Sequence, residues 1–309
     1  MTAYTTHCDR NYVTRVLALE KSLRTNQDFT TLYVIAHDDH TKVQIELLEL
    51  KFTKVISLVE VEERFPELVS AKNNRSRLEY IFCLTPFVIS FTHLISASDL
   101  VIYLDADLYF FKSPNLALED FTEDSDVAII EHGFQTKFDH LKIYGNFNVG
   151  WLAFRIVNGG NPILNWWKSA CIDSTSTLVS EHVYADQKYL DEFPIRFQGT
   201  HINRNRGMNI APWNIENFLG KNQSETFLDA NLVFFHFSGL RMYGRFVVLG
   251  LSGYSFRASK DIKRKIYRVY VDSLIDAGSK LNLNPQVDSR KYTFKELVKI
   301  IYYRDFILS

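Results

Sequence analysis

The chain has few cysteines and no pattern that would pair them. Its 309 residues contain three cysteines, Cys8, Cys83 and Cys171, which are widely spaced. An odd number of scattered cysteines fits neither a disulfide framework nor a cysteine-based metal motif. The sequence therefore favours a reducing compartment, and we expect a cytoplasmic protein.

A long apolar run is also missing. Residues 1–12 are polar and have the pattern of a first strand and turn, so we expect no secretory leader. No run approaches the roughly 18 consecutive apolar residues of a membrane span. We therefore expect no transmembrane helix.

The chain carries almost no excess charge of either sign. Its formal net charge is -1, which gives no reason to expect a nucleic-acid partner. With 46% hydrophobic residues the chain can bury one sizeable core. Strand-like segments alternate with helix-like ones along its length, and this alternation predicts an α/β fold.

Local patterns predict the individual elements. We expect strands over residues 31–36, 55–59 and 127–131 and helices over residues 40–52 and 73–92. Pro86 lies inside the second of these helices and predicts a kink or a break there. Trp166 and Trp167 lie on an amphipathic helix, whose apolar face favours a place in the core.

The most informative stretch is residues 100–107, an apolar strand that ends in Asp105-Ala106-Asp107. Because side chains alternate along a strand, the two carboxylates project to the same side. Mg²⁺ and Mn²⁺ take one or two protein carboxylates and complete their coordination with phosphate oxygens and water. The tripeptide alone fits a solvated turn as well. A strand buried on both faces favours a ligand site, since ligands bind at the carboxyl ends of such strands.

Four further segments place polar residues beside a strand or helix boundary. They are residues 9–12 (Asp-Arg-Asn-Tyr), 147–155 (opening Phe-Asn-Val-Gly), 185–190 (opening Ala-Asp-Gln) and 232–239 (ending His-Phe-Ser-Gly). Each also has a structural explanation. These are a helix cap, a bulge, an acid favoured by a helix dipole and a core histidine, respectively.

Taken together in the order in which they occur along the chain, these four segments and the Asp-x-Asp strand resemble the motifs of the nucleotide-sugar glycosyltransferases of GT-A fold. The likeness is closest to the glycogenin and lipopolysaccharide galactosyltransferase family and to uncharacterised bacterial relatives, and it covers most of residues 1–240. It implies an α/β fold of GT-A type, a single Rossmann-like α/β/α sandwich with a mixed central sheet. We assign residues 1–254 to this catalytic domain and residues 255–309 to a helical C-terminal extension.

The resemblance also implies roles for individual residues. The implied metal ligands are Asp105, Asp107 and His236, and the implied ion is Mn²⁺ or Mg²⁺. The residues implied at the reaction centre are Asn148, Asp186 and Gln187. Those implied around the donor are Thr5, Thr6, Asp9, Asn11, Tyr12, Asp38, Arg77, Ala106, Gly239 and Arg241. On the acceptor side the implied residues are Trp213 and Asn214.

Two departures from the family pattern affect these roles. Lys188 stands where the family has a second acid after Asp186-Gln187. A lysine that contacts the diphosphate in the family is missing from residues 240–245, where Arg241 or Arg245 would have to substitute. The resemblance favours retention of configuration. If the enzyme inverts instead, Asp186 is the candidate base that deprotonates the acceptor.

The last 55 residues differ from the rest in charge. Residues 255–309 contain twelve basic and six acidic residues, a net charge of +6, interleaved with aromatic residues. A basic, aromatic helical segment can bind an anionic membrane, so we expect peripheral contact with the inner face of the cytoplasmic membrane. A helical cap packed on the catalytic domain would explain the same composition.

The implied function is transfer of a hexose from a nucleotide diphosphate sugar, with a UDP-sugar favoured. The acceptor would be a saccharide or lipid-linked saccharide in bacterial lipopolysaccharide or capsule synthesis. A nucleotidyltransferase is an alternative, but it would normally open with a glycine-rich phosphate loop, and residues 5–12 contain no glycine. A metal-dependent hydrolase and a non-catalytic nucleotide-sugar-binding or scaffold protein remain as further alternatives.

Overall fold

The structure of the protein is a computed structural model, and it describes residues 1–156, 161–180, 183–220, 226–283 and 288–308. The strands are β1 (Thr2–Cys8), β2 (Leu32–Ala36), β3 (Thr53–Ser57), β4 (Leu100–Leu104), β5 (Leu108–Phe110), β6 (Val127–Glu131), β7 (Phe147–Arg155), β8 (Thr200–Asn203), β9 (Phe234–His236), β10 (Arg241–Tyr243), β11 (Phe246–Val248) and β12 (Phe306–Leu308). The α-helices are α1 (Val13–Thr25), α2 (Asp39–Glu46), α3 (Leu58–Arg64), α4 (Glu67–Asn74), α5 (Arg77–Ser96), α6 (Pro162–Asp173), α7 (Phe193–Arg196), α8 (Thr226–Asn231), α9 (Lys260–Ile262), α10 (Val269–Lys280) and α11 (Phe294–Tyr302). A π-helical segment, Lys263–Arg268, joins α9 to α10, and 3₁₀ helices include Thr136–Tyr144 and Lys188–Glu192.

The chain forms two compact units. The first comprises Met1–Val13, Phe29–Ala106 and Ala117–Asn205. The second comprises Thr14–Asp28, Asp107–Leu116 and Arg206–Ser309.

The first unit is built on a seven-stranded sheet in the order β3-β2-β1-β4-β7-β6-β8. The strands β3, β2, β1 and β4 are mutually parallel. β7 runs antiparallel to both its neighbours, β4 and β6. This confirms the predicted α/β fold with a mixed central sheet. Because four neighbouring strands are parallel, their carboxyl ends meet at one edge, the usual place for a ligand.

The core of the first unit contains both the central strands and a layer of helices. Every residue of β2 is buried, as expected for an apolar strand covered on both faces. Trp167 of α6 is fully buried and stacks on Phe154 of β7 with 6.0 Å between ring centroids. Trp166 packs partly buried against the same core. The predicted core position of these two tryptophans is confirmed.

Two predicted elements end earlier than expected. The third strand, predicted over residues 55–59, ends at Ser57. Ser57 caps α3 and forms a capping box with Glu60, so the chain turns helical at Leu58. The helix predicted over residues 40–52 ends at Glu46.

The helix predicted over residues 73–92 is in fact two helices, α4 and α5. The break lies at Arg75 and Ser76, where Ser76 caps α5 and forms a capping box with Glu79. Pro86 lies inside α5, so the helix does not break at that proline, and the alternative of a kink there stays a prediction.

α5 is also long and apolar enough to cross a membrane, by length and composition, which the sequence expectation missed. Of its most apolar window, 61% is buried within the structure. Leu84, Phe87 and Val88 of this helix belong to the core of the first unit. Such burial is typical of a core helix, and α5 is weak support for a membrane span.

The second unit has its own core, which is rich in aromatic residues. Phe235 and Phe237, around the end of β9, pack against Tyr267 and Tyr270. Phe237 and Tyr270 stack with 3.9 Å between ring centroids. Part of the predicted extension is therefore packed into the second unit, while the boundary at residue 254 stays a prediction.

Candidate metal and donor site

Asp105 follows β4 at the parallel edge of the sheet in the first unit. Its backbone N–H donates to the Gly150 carbonyl at 2.9 Å, which extends the pairing of β4 with β7 by one residue. The Tyr103 hydroxyl donates to Asp105 Oδ1 at 2.9 Å. Asp105 is therefore held through both its backbone and its carboxylate.

Asp107 and His236 are brought together by the pairing of β5 with β9 in the second unit. Leu108 lies opposite His236 in this antiparallel pair, and the Phe237 N–H donates to the Asp107 carbonyl at 2.9 Å. His236 Nε2 lies 3.1 Å from Asp107 Oδ1, and the two side chains are 7% and 15% exposed. Strand register thus fixes the distance between the two candidate ligands.

The surroundings of Asp107 favour its charged form. Burial by itself would raise the pKa of Asp107, but the His236 imidazole and the Arg15 guanidinium outweigh it and lower that pKa. Arg15 is buried and donates to the Leu240 carbonyl at 3.0 Å. An ionised carboxylate is the form that binds a metal ion.

Asp107 Oδ1 and His236 Nε2, both in the second unit, have the spacing of two ligands of one divalent cation. Two cis ligands of an octahedral ion, each at about 2.1 Å, lie about 3.0 Å apart. The 3.1 Å between Asp107 Oδ1 and His236 Nε2 matches that spacing. Carboxylate oxygens suit Mg²⁺ and Mn²⁺, and a neutral imidazole nitrogen is a common ligand of transition-metal ions.

Asn148 and Gln187 meet in the first unit. Asn148 Nδ2 lies 3.3 Å from Gln187 Oε1 and 3.2 Å from His132 Nε2. Gln187 Nε2 donates to the Tyr144 carbonyl at 3.0 Å. Gln187 directly precedes the 3₁₀ helix Lys188–Glu192. These contacts hold both amide side chains in fixed orientations.

Asp186 is a buried acid with a near-neutral pKa. Burial raises the pKa of Asp186 to about 7, a hydrogen bond with Thr85 opposes the shift, and the charge of Asp105 adds to it. The Trp167 indole N–H donates to the Asp186 backbone carbonyl at 3.0 Å. A carboxyl group with this pKa can give up or accept a proton near pH 7.

The turn after β1 is organised by Asp9. The Asn11 backbone N–H donates to Asp9 Oδ1 at 2.9 Å, and the Tyr12 N–H donates to the Asp9 carbonyl at 2.9 Å. Arg77 Nη2 pairs with Asp9 Oδ2 at 2.8 Å. The structure thus brings together Asp9, Asn11 and Arg77, three of the predicted donor residues.

The other predicted donor residues of the first unit are mostly buried. Thr5 accepts a hydrogen bond from the Thr92 hydroxyl at 2.8 Å, whereas Thr6 Oγ1 is buried with no partner among the described residues. Asp38 caps α2 by accepting from the Thr41 N–H at 2.9 Å. Ala106 is buried between the two motif aspartates.

A cavity of ≈ 370 Å³ opens beside this turn. Its lining includes Asp38 and Tyr80 together with the basic residues Arg10, Lys72, Arg75 and Arg77. His37, also in the lining, stacks on His7 at 5.1 Å, and burial lowers the pKa of His37 to about 4. Guanidinium groups beside a neutral imidazole suit an anionic ligand that carries a flat ring.

Gly239 and Arg241 follow β9 in the second unit. Gly239 has φ +80°, a conformation that favours glycine, while a Cβ there would meet only an ordinary contact at 3.6 Å. Arg241 begins β10, is half-buried and donates to the Leu240 carbonyl at 3.2 Å. Arg245 is exposed at the turn between β10 and β11.

Trp213 and Asn214 are buried in the second unit. The Trp213 ring packs edge-on against the His236 ring at 5.2 Å and is 4% exposed. Asn214 Oδ1 accepts from the Ala211 N–H at 2.8 Å, and its amide donates to the Asn209 carbonyl at 2.9 Å. Both residues brace the loop behind His236, and their acceptor role stays a prediction.

Sequence reasoning missed three residues that act on the predicted ones. They are Tyr103 at Asp105, Thr85 at Asp186 and Arg15 near Asp107. Tyr103 lies within the motif strand, two residues before Asp105, so the alternation of side chains would have placed it on the same face. Thr85 and Arg15 lie on helices distant in sequence, and no local pattern points to them.

The sequence is similar to curated proteins that are themselves uncharacterised. No protein-family model matches the sequence. The uncharacterised protein YfnD of Bacillus subtilis (strain 168) is 28% identical over 247 residues, which cover 77% of this chain and 78% of YfnD. The uncharacterised protein YfnF of the same organism is 26% identical over 250 residues, which cover 78% and 82% of the two chains.

Solved structures show the fold. The galactosyltransferase LgtC, in complex with donor and acceptor sugar analogues, has a TM-score of 0.54 and 14% identity over 97% of this chain and 100% of its own. The bifunctional WbbM has a TM-score of 0.55 and 12% identity over 90% and 51% of the two chains. The apo glycosyltransferase GlyE of Streptococcus pneumoniae TIGR4 has a TM-score of 0.50 and 14% identity over 100% and 65%. The chain therefore has the GT-A fold of glycosyltransferases.

Proposed function

We propose that this protein transfers a hexose from a nucleotide diphosphate sugar, most simply a UDP-sugar, to a hydroxyl of a saccharide acceptor. The proposed setting is synthesis of a bacterial surface glycan such as lipopolysaccharide or capsule. The observation that carries the proposal is the contact of Asp107 with His236, in a GT-A fold and two residues after Asp105 in the sequence. Because a fold hosts many functions, this contact and not the fold alone supports sugar transfer.

In this proposal, Asp105, Asp107 and His236 hold Mn²⁺ or Mg²⁺. A bound cation supplies Lewis-acid stabilisation of the charge on the leaving diphosphate. Tyr103 orients Asp105 through its hydroxyl, and Arg15 favours the ionised form of Asp107. Arg241 replaces the missing family lysine as a cation for the diphosphate, with Arg245 as the second candidate.

The nucleotide contacts are assigned to the turn after β1 and its neighbours. Asp9, Asn11 and Arg77 form one hydrogen-bonded group beside the basic cavity, which suits a nucleotide. The remaining proposed donor contacts are Thr5, Thr6, Tyr12, Asp38, Ala106 and Gly239. The proposed acceptor contacts are Trp213 and Asn214.

The reaction centre is assigned to Asn148, Gln187 and Asp186. The two amides are held by neighbours and are suited to orient sugar hydroxyls beside the anomeric carbon. We favour retention of configuration. In an inverting reaction Asp186, with its pKa of about 7, would take the proton from the acceptor hydroxyl.

The first test is thermal unfolding with a panel of nucleotide diphosphates and their sugars, with and without Mn²⁺. A ligand that binds only the folded state stabilises it by about 2.7 kcal/mol at a hundred times its Kd, which is a shift of about 5 °C for a chain of this size. We expect such a shift with one nucleotide and Mn²⁺, its loss in Asp107→Asn, and its retention in Asp124→Asn, an exposed control. No shift with any nucleotide would overturn the donor assignment.

Product analysis separates the alternatives. A transferase releases nucleotide diphosphate at a rate that rises with acceptor, whereas a hydrolase releases it at the same rate without acceptor. A nucleotidyltransferase releases pyrophosphate from a nucleoside triphosphate and a sugar phosphate. A binding or scaffold protein shows the thermal shift and no turnover.

A further inference from the structure

The exposed apolar surface of the protein includes one continuous face of α11. Phe294, Leu297, Val298, Ile301 and Tyr302 are 82%, 43%, 49%, 68% and 71% exposed. They follow the spacing i, i+3, i+4, i+7 and i+8, which places them on one side of the helix. An amphipathic helix normally turns its apolar side towards the core. In α11 the apolar side faces outward instead.

The opposite side of α11 holds the helix to the second unit. Ile300 is 2% exposed. Glu296 closes the capping box with Thr293 and pairs with Arg290 at 2.8 Å. The outward direction of the apolar face is therefore fixed by contacts on the other side of the same helix.

The segment after α11 is also anchored. The buried carboxylate of Asp305 accepts from the Leu251 N–H at 2.9 Å and the Ser252 N–H at 2.8 Å. β12 then pairs antiparallel with β11, with Ile307 opposite Val247. The C-terminal end of α11 is consequently tied down, and the helix presents its apolar face as part of the folded protein.

The charge around the apolar face is positive. Lys291, Lys295, Lys299 and Arg304 are exposed on or beside α11. Of the two acids between residues 290 and 308, Asp305 is buried and Glu296 is paired with Arg290. Lys295 and Lys299 are one turn apart, so they border the same edge of the apolar face.

We propose that α11 lies in the headgroup region of an anionic membrane, with its apolar face inserted and its lysines on the lipid phosphates. Amphipathic helices with a basic border bind membranes in this way. A second copy of this chain is a poorer partner, because a two-fold contact through this face would bring like-charged lysines together. The basic residues Lys263, Lys265 and Arg268 contact other parts of the second unit, whereas Lys295 and Lys299 are exposed beside an apolar face, and this combination is why we assign α11 to lipid.

This surface is separate from the chemistry proposed for the metal ligands. Membrane binding by α11 holds whether or not the protein transfers a sugar, because it depends on none of the site residues. If the proposed function is also right, the surface would bring the enzyme to a lipid-linked acceptor.

The test is cosedimentation of the full chain with vesicles of phosphatidylcholine containing about a third phosphatidylglycerol, against vesicles of phosphatidylcholine alone. The first variant is Phe294→Glu with Ile301→Glu. Its control is Leu47→Glu with Ile195→Glu, which makes the same charge change at positions that are 75% and 77% exposed. We expect at least a tenfold loss of binding in the first variant and none in the control.

The second variant tests the charges and leaves the apolar face intact. Lys295→Gln with Lys299→Gln should weaken binding to anionic vesicles about tenfold at low salt, and added salt should reduce the difference. Lys51→Gln with Lys54→Gln makes the same charge change at exposed positions of the first unit and should bind like the wild type. Unfolding midpoints of all variants should match the wild type, since every substituted side chain is exposed.

Three outcomes would overturn the proposal. One is wild-type protein that does not sediment with anionic vesicles. Another is a Phe294→Glu, Ile301→Glu variant that binds like its control. The third is a wild-type dimer that this variant converts to a monomer without vesicle binding in either, which would make the face a contact between copies.

Discussion

Two aspartates, one in each compact unit, have opposite electrostatic environments. Asp107 in the second unit lies 3.1 Å from the His236 imidazole, and this neighbour helps lower its pKa against the effect of burial. Burial of Asp186 in the first unit outweighs its hydrogen bonds to Thr85 and to its own backbone, and its pKa rises to about 7. Under the proposed function, this difference suits Asp107 to hold a cation as a charged carboxylate and Asp186 to exchange a proton near pH 7.

The largest expected effect is on Asp107. Asp107→Asn should lower the rate of sugar transfer by about 10³-fold or more, since it removes a charged ligand from the proposed cation site. Added Mn²⁺ should restore little of the rate. Steady-state rates with increasing Mn²⁺ measure this, with Asp124→Asn as the exposed control. A variant with near-normal activity would mean that Asp107 is not a ligand.

A smaller loss, with a different signature, is expected at Asp186. If Asp186 is the base, Asp186→Asn should lower the rate about 10²-fold, and wild-type activity should rise with pH through about 7. The variant should lack that rise, while its response to Mn²⁺ should match the wild type. A pH–rate profile that keeps its midpoint in the variant would assign the titration to another group and leave Asp186 in a positioning role.

The two aspartates should also affect stability with opposite dependence on pH. The folded-state pKa of Asp186 lies above its ordinary 3.8, so the stability from this group is complete below about pH 4 and is lost as the pH rises towards 7. Because asparagine does not ionise, Asp186→Asn avoids this loss of stability at high pH. The variant should be more stable than the wild type at pH 8 by about 2–4 kcal/mol. At pH 4 the two should be equal.

For Asp107 the sign is reversed. Its pKa is lowered in the folded state, so its contribution is present above about pH 4 and is lost as the pH falls through the folded-state pKa. Asp107→Asn should be less stable at pH 7 by about 1–2 kcal/mol, with a smaller deficit in acid. Urea unfolding over a pH series, with a chelator present, measures both variants. If both variants changed the free energy of unfolding in the same direction at pH 8, the predicted difference between the two aspartates would be wrong.

The smallest expected effect comes from Thr85. Its hydroxyl lowers the pKa of Asp186, so Thr85→Val should raise that pKa by about one unit and move the pH–rate midpoint towards alkali. Thr92→Val is a matched control, because Thr92 is a buried threonine of the same helix. The control should leave the midpoint where it is. A midpoint unmoved by Thr85→Val would show that the profile does not report Asp186.

The sequence predicted the parts of this molecule that depend on local pattern. The strand before Asp105 and the same-side projection of Asp105 and Asp107 follow from alternation and apolarity alone. Ser76 and Glu79 also have the spacing of a capping box, which indicates the start of α5. The helical pattern continues on both sides of Ser76, and for this reason the predicted helix over residues 73–92 spans the boundary between α4 and α5.

The remaining features depend on contacts between distant segments. The distance from Asp107 to His236 is set by the register of β5 with β9, and only the family resemblance pointed to that histidine. The raised pKa of Asp186 comes mainly from burial, and no single stretch of sequence identifies the segments that bury this side chain. The Trp213 ring is of the type that can stack on a sugar, yet it is buried against His236. Side chains of this kind acquire their environment only when the tertiary structure forms.

The most direct test of the account is a Mn²⁺ titration followed by electron paramagnetic resonance, with UDP present, on the wild type, Asp107→Asn and Asp186→Asn. We predict that the wild type and Asp186→Asn bind one Mn²⁺ with similar affinity and that Asp107→Asn binds at least about tenfold more weakly. Equal Mn²⁺ affinity in Asp107→Asn and the wild type would contradict the proposed cation site, and with it the basis for assigning sugar transfer.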